Sequence, residues 1–297
     1  MVYISHLRAA TRFTAYLLWV GLIIPVQSIN LLLRLKFAKK WPMTAHRVCA
    51  KLLGIKMVTI GKPLRRGRVL FVVNHTSYAD ISVLGAQLEA CFVAKAEVAK
   101  WPVFGTCAKL QRTVFVDRRP RFAAQQAEIL KERLANGDNL ILFPEGTSND
   151  GNFVLPFRSA LFSAAAIRID DEPVVVQPVS VAYTHLDGIP MGRHLRPFFA
   201  WYGDMELASH LWQFLGIGRS RIVTRFHEPV TIDQFKSRKE LAAWCQAVIA
   251  AGVAESLTGH PQPVIAASPD GSALLTDQSA VGTGADGTAG AATSAAT

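Results

Sequence analysis

His75 and Asp80 are the residues whose types and spacing best suit them to chemistry. An imidazole titrates near neutrality and takes a proton from a hydroxyl when its tautomer is held. A carboxylate that accepts from the other ring nitrogen does the holding, as in hydrolase triads. Asp80 follows His75 by five residues. On one continuous helix that spacing puts the side chains ~140° out of phase, given 3.6 residues per turn. They meet only if His75 lies in a turn and Asp80 at the start of the next helix. The flanks favour this: Val69, Leu70, Phe71, Val72 and Val73 read as a short buried strand, and an apolar periodic segment begins after Asp80. Plainer readings exist. Ser77 and Asp80 form S-x-x-D before an apolar run, a capping-box pattern, and His75 would then be an ordinary turn histidine. Ser77 as a nucleophile lacks the G-x-S-x-G surroundings of a nucleophile elbow.

Two further strand ends carry polar groups. Thr113-Val114-Phe115-Val116 runs into Asp117, Arg118 and Arg119. A guanidinium fork binds phosphate or carboxylate through paired hydrogen bonds, which makes Arg118 a candidate anion-binding residue; the alternative is surface charge before the next helix. Leu140-Ile141-Leu142-Phe143 runs into Pro144, Glu145, Gly146, Thr147 and Ser148. Pro144 forces the chain out of the strand and Gly146 allows close backbone approach. Singly this is an ordinary turn. Ligands in open α/β sheets collect beyond the strands' carboxyl ends, so three polar turns in succession point to one site.

The turns need a frame. Strands are expected at 57–60, 69–73, 91–94, 113–116, 139–143, 174–182 and 222–226, and helices at 81–89, 122–136, 159–168 and 239–257. This alternation predicts an α/β domain over 57–260, a mixed β-sheet flanked by helices. Residues 96–110, with Trp101, Pro102 and Phe104, read either as an interfacial patch or as packing against the sheet. From 261 to 297 the chain is rich in Ala, Gly, Ser and Thr and is expected to be disordered.

Hydrophobic residues make up 50% of the 297 and charged ones 18%. That is too apolar for an ordinary soluble enzyme and too polar for a multi-span membrane protein. Residues 13–33 are uncharged, about the length that crosses a ~30 Å hydrocarbon core. Arg8 and Arg12 precede them, and Arg34, Lys36, Lys39 and Lys40 follow. The heavier C-terminal flank places the following domain on the cytoplasmic side of the cell inner membrane. No small-x-small cleavage site follows, against a signal peptide. Pro25, Gln27, Ser28 and Asn30 interrupt the second half, so a bent, half-inserted anchor fits as well as a span. Residues 36–56 are basic and amphipathic, suited to the headgroup layer, which makes 1–56 a membrane anchor with an interfacial helix. The net charge of +10 calls for an anionic partner. The apolar N-terminus points to an anionic membrane surface and not to nucleic acid. Cys49, Cys91, Cys107 and Cys245 are scattered without a C-x-x-C pair, which indicates neither zinc nor disulfides and fits a reducing compartment.

Together these turns resemble the glycerophospholipid (lysophospholipid) acyltransferases, the PlsC-like family. Asn74-His75-Thr76-Ser77-Tyr78-Ala79-Asp80 matches the family's N-H-x-x-x-x-D motif, and Phe115-Val116-Asp117-Arg118 its second motif. Phe143-Pro144-Glu145-Gly146-Thr147-Ser148 matches F-P-E-G-T, and Val174-Val175-Val176-Gln177-Pro178-Val179 looks like the fourth. The resemblance spans 57–230 and implies acyl transfer. His75, oriented by Asp80, would deprotonate a lysolipid hydroxyl, and the oxygen would attack the thioester of acyl-CoA or acyl carrier protein. Arg118, Glu145, Gly146 and Thr147 would hold the acceptor's phosphate or headgroup. No metal or other cofactor is implied. Many phosphatidate-forming members carry Arg where Ser148 stands. Residues 151–157 and 199–212 look like a bacterial branch that includes both lysophosphatidate and lyso-ornithine lipid acyltransferases. The expected product is phosphatidate from 1-acylglycerol 3-phosphate, with lyso-ornithine lipid as the alternative acceptor. A non-catalytic adaptor for anionic lipid and a lipid hydrolase are the readings from other classes.

Overall fold

The computed structural model describes residues 4–65, 67–117, 119 and 122–263; Arg118 and the tail from residue 264 lie outside the described residues. In chain order the helices are α1 (His6–Leu32), α2 (Trp41–Leu52), α3 (Ala79–Gly85), α4 (Phe104–Leu110), α5 (Ala123–Ala135), α6 (Leu207–Gly216) and α7 (Arg238–Thr258). The strands are β1 (Ile55–Ile60), β2 (Val69–Val73), β3 (Cys91–Lys95), β4 (Val114–Val116), β5 (Leu140–Leu142), β6 (Arg168–Ile169), β7 (Glu172–Pro173), β8 (Val175–Leu186), β9 (Ile189–Pro190), β10 (Ser220–Phe226) and β11 (Val230–Thr231).

The main sheet runs β1-β10-β8-β2-β5-β3-β4, with β6 and β7 a separate small hairpin. β2 is central and all five of its residues are buried, because helices cover both sheet faces. Its side chains alternate between two cores. Leu70 and Val72 meet Leu130 and Leu134 of α5 and Leu241 and Ile249 of α7. Val69, Phe71 and Val73 meet Val83 and Leu84 of α3 and Phe214 of α6. The pairs β2–β5, β5–β3, β3–β4 and β2–β8 are parallel, so these strands all end at one edge. β10 pairs antiparallel to β8, which makes the sheet mixed.

The expected strands are all present, with β8 running on to Leu186 and β10 starting at Ser220. Helix 159–168 is instead a 3-10 segment, Ser159–Ala166, whose Phe162, Ala164 and Ala165 are buried against α5 and α7; tight packing overrides helix propensity there. Residues 96–110 split into a 3-10 turn, Ala96–Lys100, and α4. Trp101 packs edge-on against Trp201 at 5.9 Å, while Val103 stays exposed. α6 was not foreseen as a helix.

α1 is long and apolar enough to be a candidate membrane span, yet one of its sides is fastened to the domain at successive turns. Ser5 N–H donates to Gly216 O at 3.1 Å. Arg12 Nη1 donates to Leu215, Ile217 and Gly218 carbonyls at 2.9–3.3 Å, satisfying the end of α6. Trp19 Nε1 donates to Ala45 O, and Gln27 Nε2 to Ala38 and Leu110 carbonyls. Gly54 (φ 74°) lies so close that a Cβ there would meet the Arg12 guanidinium at 2.3 Å. Leu7, Leu18, Leu22 and Leu32 point away, exposed. α7 also passes the span criterion by composition, but its Leu241, Cys245, Ile249 and Val253 are core residues.

α7 approaches β8 at Gly252, where a Cβ would meet His227 Cε1 and Ser180 Oγ at 2.5 Å. His227 Nε2 and Ser180 Oγ are hydrogen-bonded at 2.9 Å. Burial, with Arg225 nearby, pushes the His227 imidazole down to about 3. The unfolded chain protonates histidine near pH 6.5 and the folded one does not, so stability falls as pH drops from about 6.5 towards 3. We predict that His227→Gln has a flatter decline of melting temperature between pH 7 and 4.5 than the wild type, measured by thermal unfolding in detergent.

Candidate active site

β2 ends at Val73, and the next side chain extends the sheet in place of backbone. Asn74 Nδ2 donates to Val181 O at 2.9 Å and Val181 N–H donates to Asn74 Oδ1 at 2.8 Å. This two-point amide clamp sets β2 against β8 where the polar turn begins. His75 lies in that turn, outside any helix, and Asp80 is the second residue of α3.

The turn folds back so that His75 Nδ1 lies 2.9 Å from Asp80 Oδ2. The same oxygen accepts from the Thr76 and Ser77 backbone N–H groups at 2.8 and 3.0 Å. Asp80 Oδ1 accepts from the Tyr183 hydroxyl at 2.8 Å. Asp80 has no solvent exposure, so these donors take the place of water around its carboxylate. The Ser77 N–H contact is the one the acid of an S-x-x-D capping box makes, but the reciprocal half is not formed: the Ser77 hydroxyl accepts from Ala79 N–H at 3.4 Å and not from Asp80 N–H. A carboxylate at Nδ1 holds the hydrogen there and leaves Nε2 as the basic nitrogen. The His75 side chain is 21% exposed, and among the described residues no protein group bonds Nε2. The ring stacks on Phe143 with centroids 4.2 Å apart.

Glu145 follows β5 at the same edge, behind His75. It is 2% exposed. Its Oε1 accepts from the His75 backbone N–H at 2.8 Å, and its Oε2 from Asn149 Nδ2 at 2.7 Å and Leu155 N–H at 3.0 Å. The acceptor contact expected of Glu145 is thus not what its oxygens make in this structure; protein donors occupy both. Burial pushes its carboxyl up to about 7, opposed by those N–H donors. Gly146 turns the chain at φ 77°, a left-handed conformation that suits glycine. Thr147 is exposed in this turn. Ser148 Oγ bonds to Trp201 O, and Trp201 N–H donates to Thr76 O at 3.1 Å, tying the two turns together. Arg118 lies outside the described residues; the end of β4 that leads to it is at this same edge.

Tyr183 and Asn149 were not picked out from the sequence. Tyr183 is 103 residues from Asp80, so no local pattern links the two. Asn149 stands four residues after Glu145, a spacing that a search for partners of a buried carboxylate would have tried.

A partly exposed imidazole with its basic nitrogen unpartnered, backed by a buried carboxylate, is the arrangement that activates a hydroxyl. Residues 56–182 match the Acyltransferase family. The chain is 42% identical over 245 residues to a lyso-ornithine lipid O-acyltransferase of Brucella abortus (strain 2308), covering 81% of this chain and 92% of that one. It is 39% identical over 260 residues to the lyso-ornithine lipid O-acyltransferase of Rhizobium meliloti (strain 1021), covering 84% and 89%. The crystal structure of the 1-acyl-sn-glycerophosphate (LPA) acyltransferase PlsC from Thermotoga maritima aligns with a TM-score of 0.60 at 25% identity, over 84% of this chain and 93% of that one. The chain belongs to the acyltransferase family. It is an acyltransferase with a mixed α/β sheet and an N-terminal apolar helix.

Glu145→Gln sets an amide NH2 against a buried N–H donor. We predict a loss of about 1–3 kcal/mol of stability, read as a lower midpoint in thermal unfolding. Glu145→Ala is expected to cost at least as much, because it leaves the His75, Asn149 and Leu155 donors unpaired.

Proposed function

We propose that this acyltransferase moves a fatty acyl group from acyl carrier protein or CoA to the free hydroxyl of lyso-ornithine lipid. The observation that carries the reaction is the His75–Asp80 hydrogen bond, with Nε2 left open. His75 Nε2 takes the hydroxyl proton as the lipid oxygen attacks the thioester carbonyl. The imidazolium formed is balanced by Asp80, which stays anionic among its donors. As the carbon–sulfur bond breaks, the thiolate takes the proton back from Nε2, and the ester is left behind. Glu145 does not touch the substrate in this scheme. It holds the His75 backbone, and binding of the acceptor's headgroup falls to Gly146, Thr147 and Arg118.

The acceptor assignment draws on the two relatives that align over most of their own length. Ser148, where many phosphatidate-forming members have Arg, agrees with it. The second reading, 1-acylglycerol 3-phosphate as acceptor, draws on the Thermotoga maritima structural neighbour, a 1-acyl-sn-glycerophosphate acyltransferase. A guanidinium at Arg118 suits a phosphate and the ornithine carboxylate alike.

We place the chain on the cytoplasmic face of the inner membrane, held by α1. The polar contacts of Arg12, Trp19 and Gln27 to the domain support a helix lying in the interface, with its Leu7–Leu22–Leu32 side in lipid. The charge of +10 adds attraction to anionic lipid.

His75→Ala and Asp80→Ala are each expected to lower acyl transfer ~10²–10⁴-fold while the protein still sediments with membranes. Near-normal transfer by purified His75→Ala would sink the mechanism. Incubation with labelled acyl donor and each acceptor, separated by thin-layer chromatography, should give labelled ornithine lipid. Labelled phosphatidate alone supports the second reading, free fatty acid a hydrolase, and liposome binding without thiol release an adaptor. Leu18→Asp with Leu22→Asp should move the protein from the membrane pellet towards the supernatant; a true span would stay in the pellet after alkaline carbonate extraction.

A further inference from the structure

Asp80 Oδ2 is shared by three donors, all from residues 75–77, whereas Oδ1 has the Tyr183 hydroxyl at 2.8 Å. Both residues are sealed off: Asp80 is 0% and Tyr183 1% exposed. Tyr183 is held on three sides. Its strand is pinned two residues earlier by the Asn74 clamp on Val181. Val181 and Tyr183 share one sheet face by the two-residue alternation, the face that packs on Phe71 and Val73. The Tyr183 ring lies against Phe199 with centroids 6.2 Å apart.

We infer that Tyr183 is a positioning residue for acyl transfer, the third member of a Tyr183–Asp80–His75 hydrogen-bonded line that fixes the carboxylate's rotation and tempers its pull on the His75 proton. This rests on the reading of His75 as base and Asp80 as its orienting acid. A carboxylate pinned only at Oδ2 can rotate about its Cβ–Cγ bond; one pinned at both oxygens keeps Oδ2 on Nδ1. The Tyr183 hydroxyl also draws charge towards Oδ1, so less is concentrated on the oxygen facing His75. Burial and the neighbouring Asp80 push the ionisation of Tyr183 upward, which keeps its hydroxyl a donor. The other titratable groups around the line are Tyr78 at the head of α3, His210 of α6, which bonds Tyr78 at 3.0 Å, and Glu145 behind the His75 backbone.

The test compares Tyr183→Phe, Tyr78→Phe, His75→Ala and the wild type in detergent, by pH–rate profiles and by NMR of the Nδ1–H proton in ¹⁵N-histidine-labelled protein. Tyr183→Phe is expected to lower kcat about tenfold, ~1.4 kcal/mol of barrier, with KM for both substrates within about twofold. Its acid limb should move up by about half a pH unit, because Asp80 then holds the imidazolium proton more strongly. The Nδ1–H resonance should move with it. Tyr78→Phe removes a buried hydroxyl bonded to His210 and should leave the limb and the resonance in place. An inactive His75→Ala with an unmoved limb and resonance in Tyr183→Phe overturns the role of Tyr183 alone. So does an equal shift in Tyr78→Phe. A fully active His75→Ala overturns the base assignment and the role of Tyr183 with it.

Discussion

A carboxylate removed from water must be hydrogen-bonded on both oxygens, or it costs more than the rest of its surroundings can offset. Asp80 is such a group, and the centre of this protein is arranged around meeting its demand. Two donors are backbone N–H groups of the turn, one is the imidazole, and one is a tyrosine from another strand. The turn can bend back onto Asp80 only because Val69–Val73 ends where it does and α3 begins at Ala79. Tyr183 can reach only because β8 is fixed beside β2 in one register. The Asn74 amide fixes that register at the last point where backbone pairing gives out.

The second buried acid works from behind. Glu145 grips the main chain of His75, while Asp80 grips its ring. Held at both backbone and side chain, and stacked on Phe143, the imidazole has little freedom left except for its open nitrogen. Such double support is what a base needs if it is to meet a substrate hydroxyl in one orientation. Glu145 and Asp80 come from turns that adjoin because β2 and β5 are parallel neighbours, so their ends coincide.

The N-terminal helix joins this frame to its surroundings. Arg12 satisfies the carbonyls at the end of α6, and α6 carries His210, the partner of Tyr78 in the turn that follows β2. The apolar side of α1 is thereby fixed in orientation relative to the site.

Much of the sheet was legible in the residues. Short runs such as Val69–Val73 and Leu140–Leu142 are apolar on both faces, and few structures other than buried strands accommodate them. The demand that His75 lie outside the helix begun near Asp80 followed from helical geometry, and the structure meets it. Less was legible where packing decides. Ser159–Ala166 carries helix formers yet forms a 3-10 segment, because Phe162, Ala164 and Ala165 must fit against α5 and α7. Glu145 stood out as an acid in a polar turn, and only its neighbours in space show that its oxygens are already taken. Tyr183 gave no sign at all, since its partner lies 103 residues away. The sequence by itself determined the strands, the polar turns at their ends and the apolar N-terminus, because these depend on local patterns of side chains. The tertiary structure alone decided which donors surround Asp80 and which way α1 faces, because both depend on contacts between segments far apart in the chain.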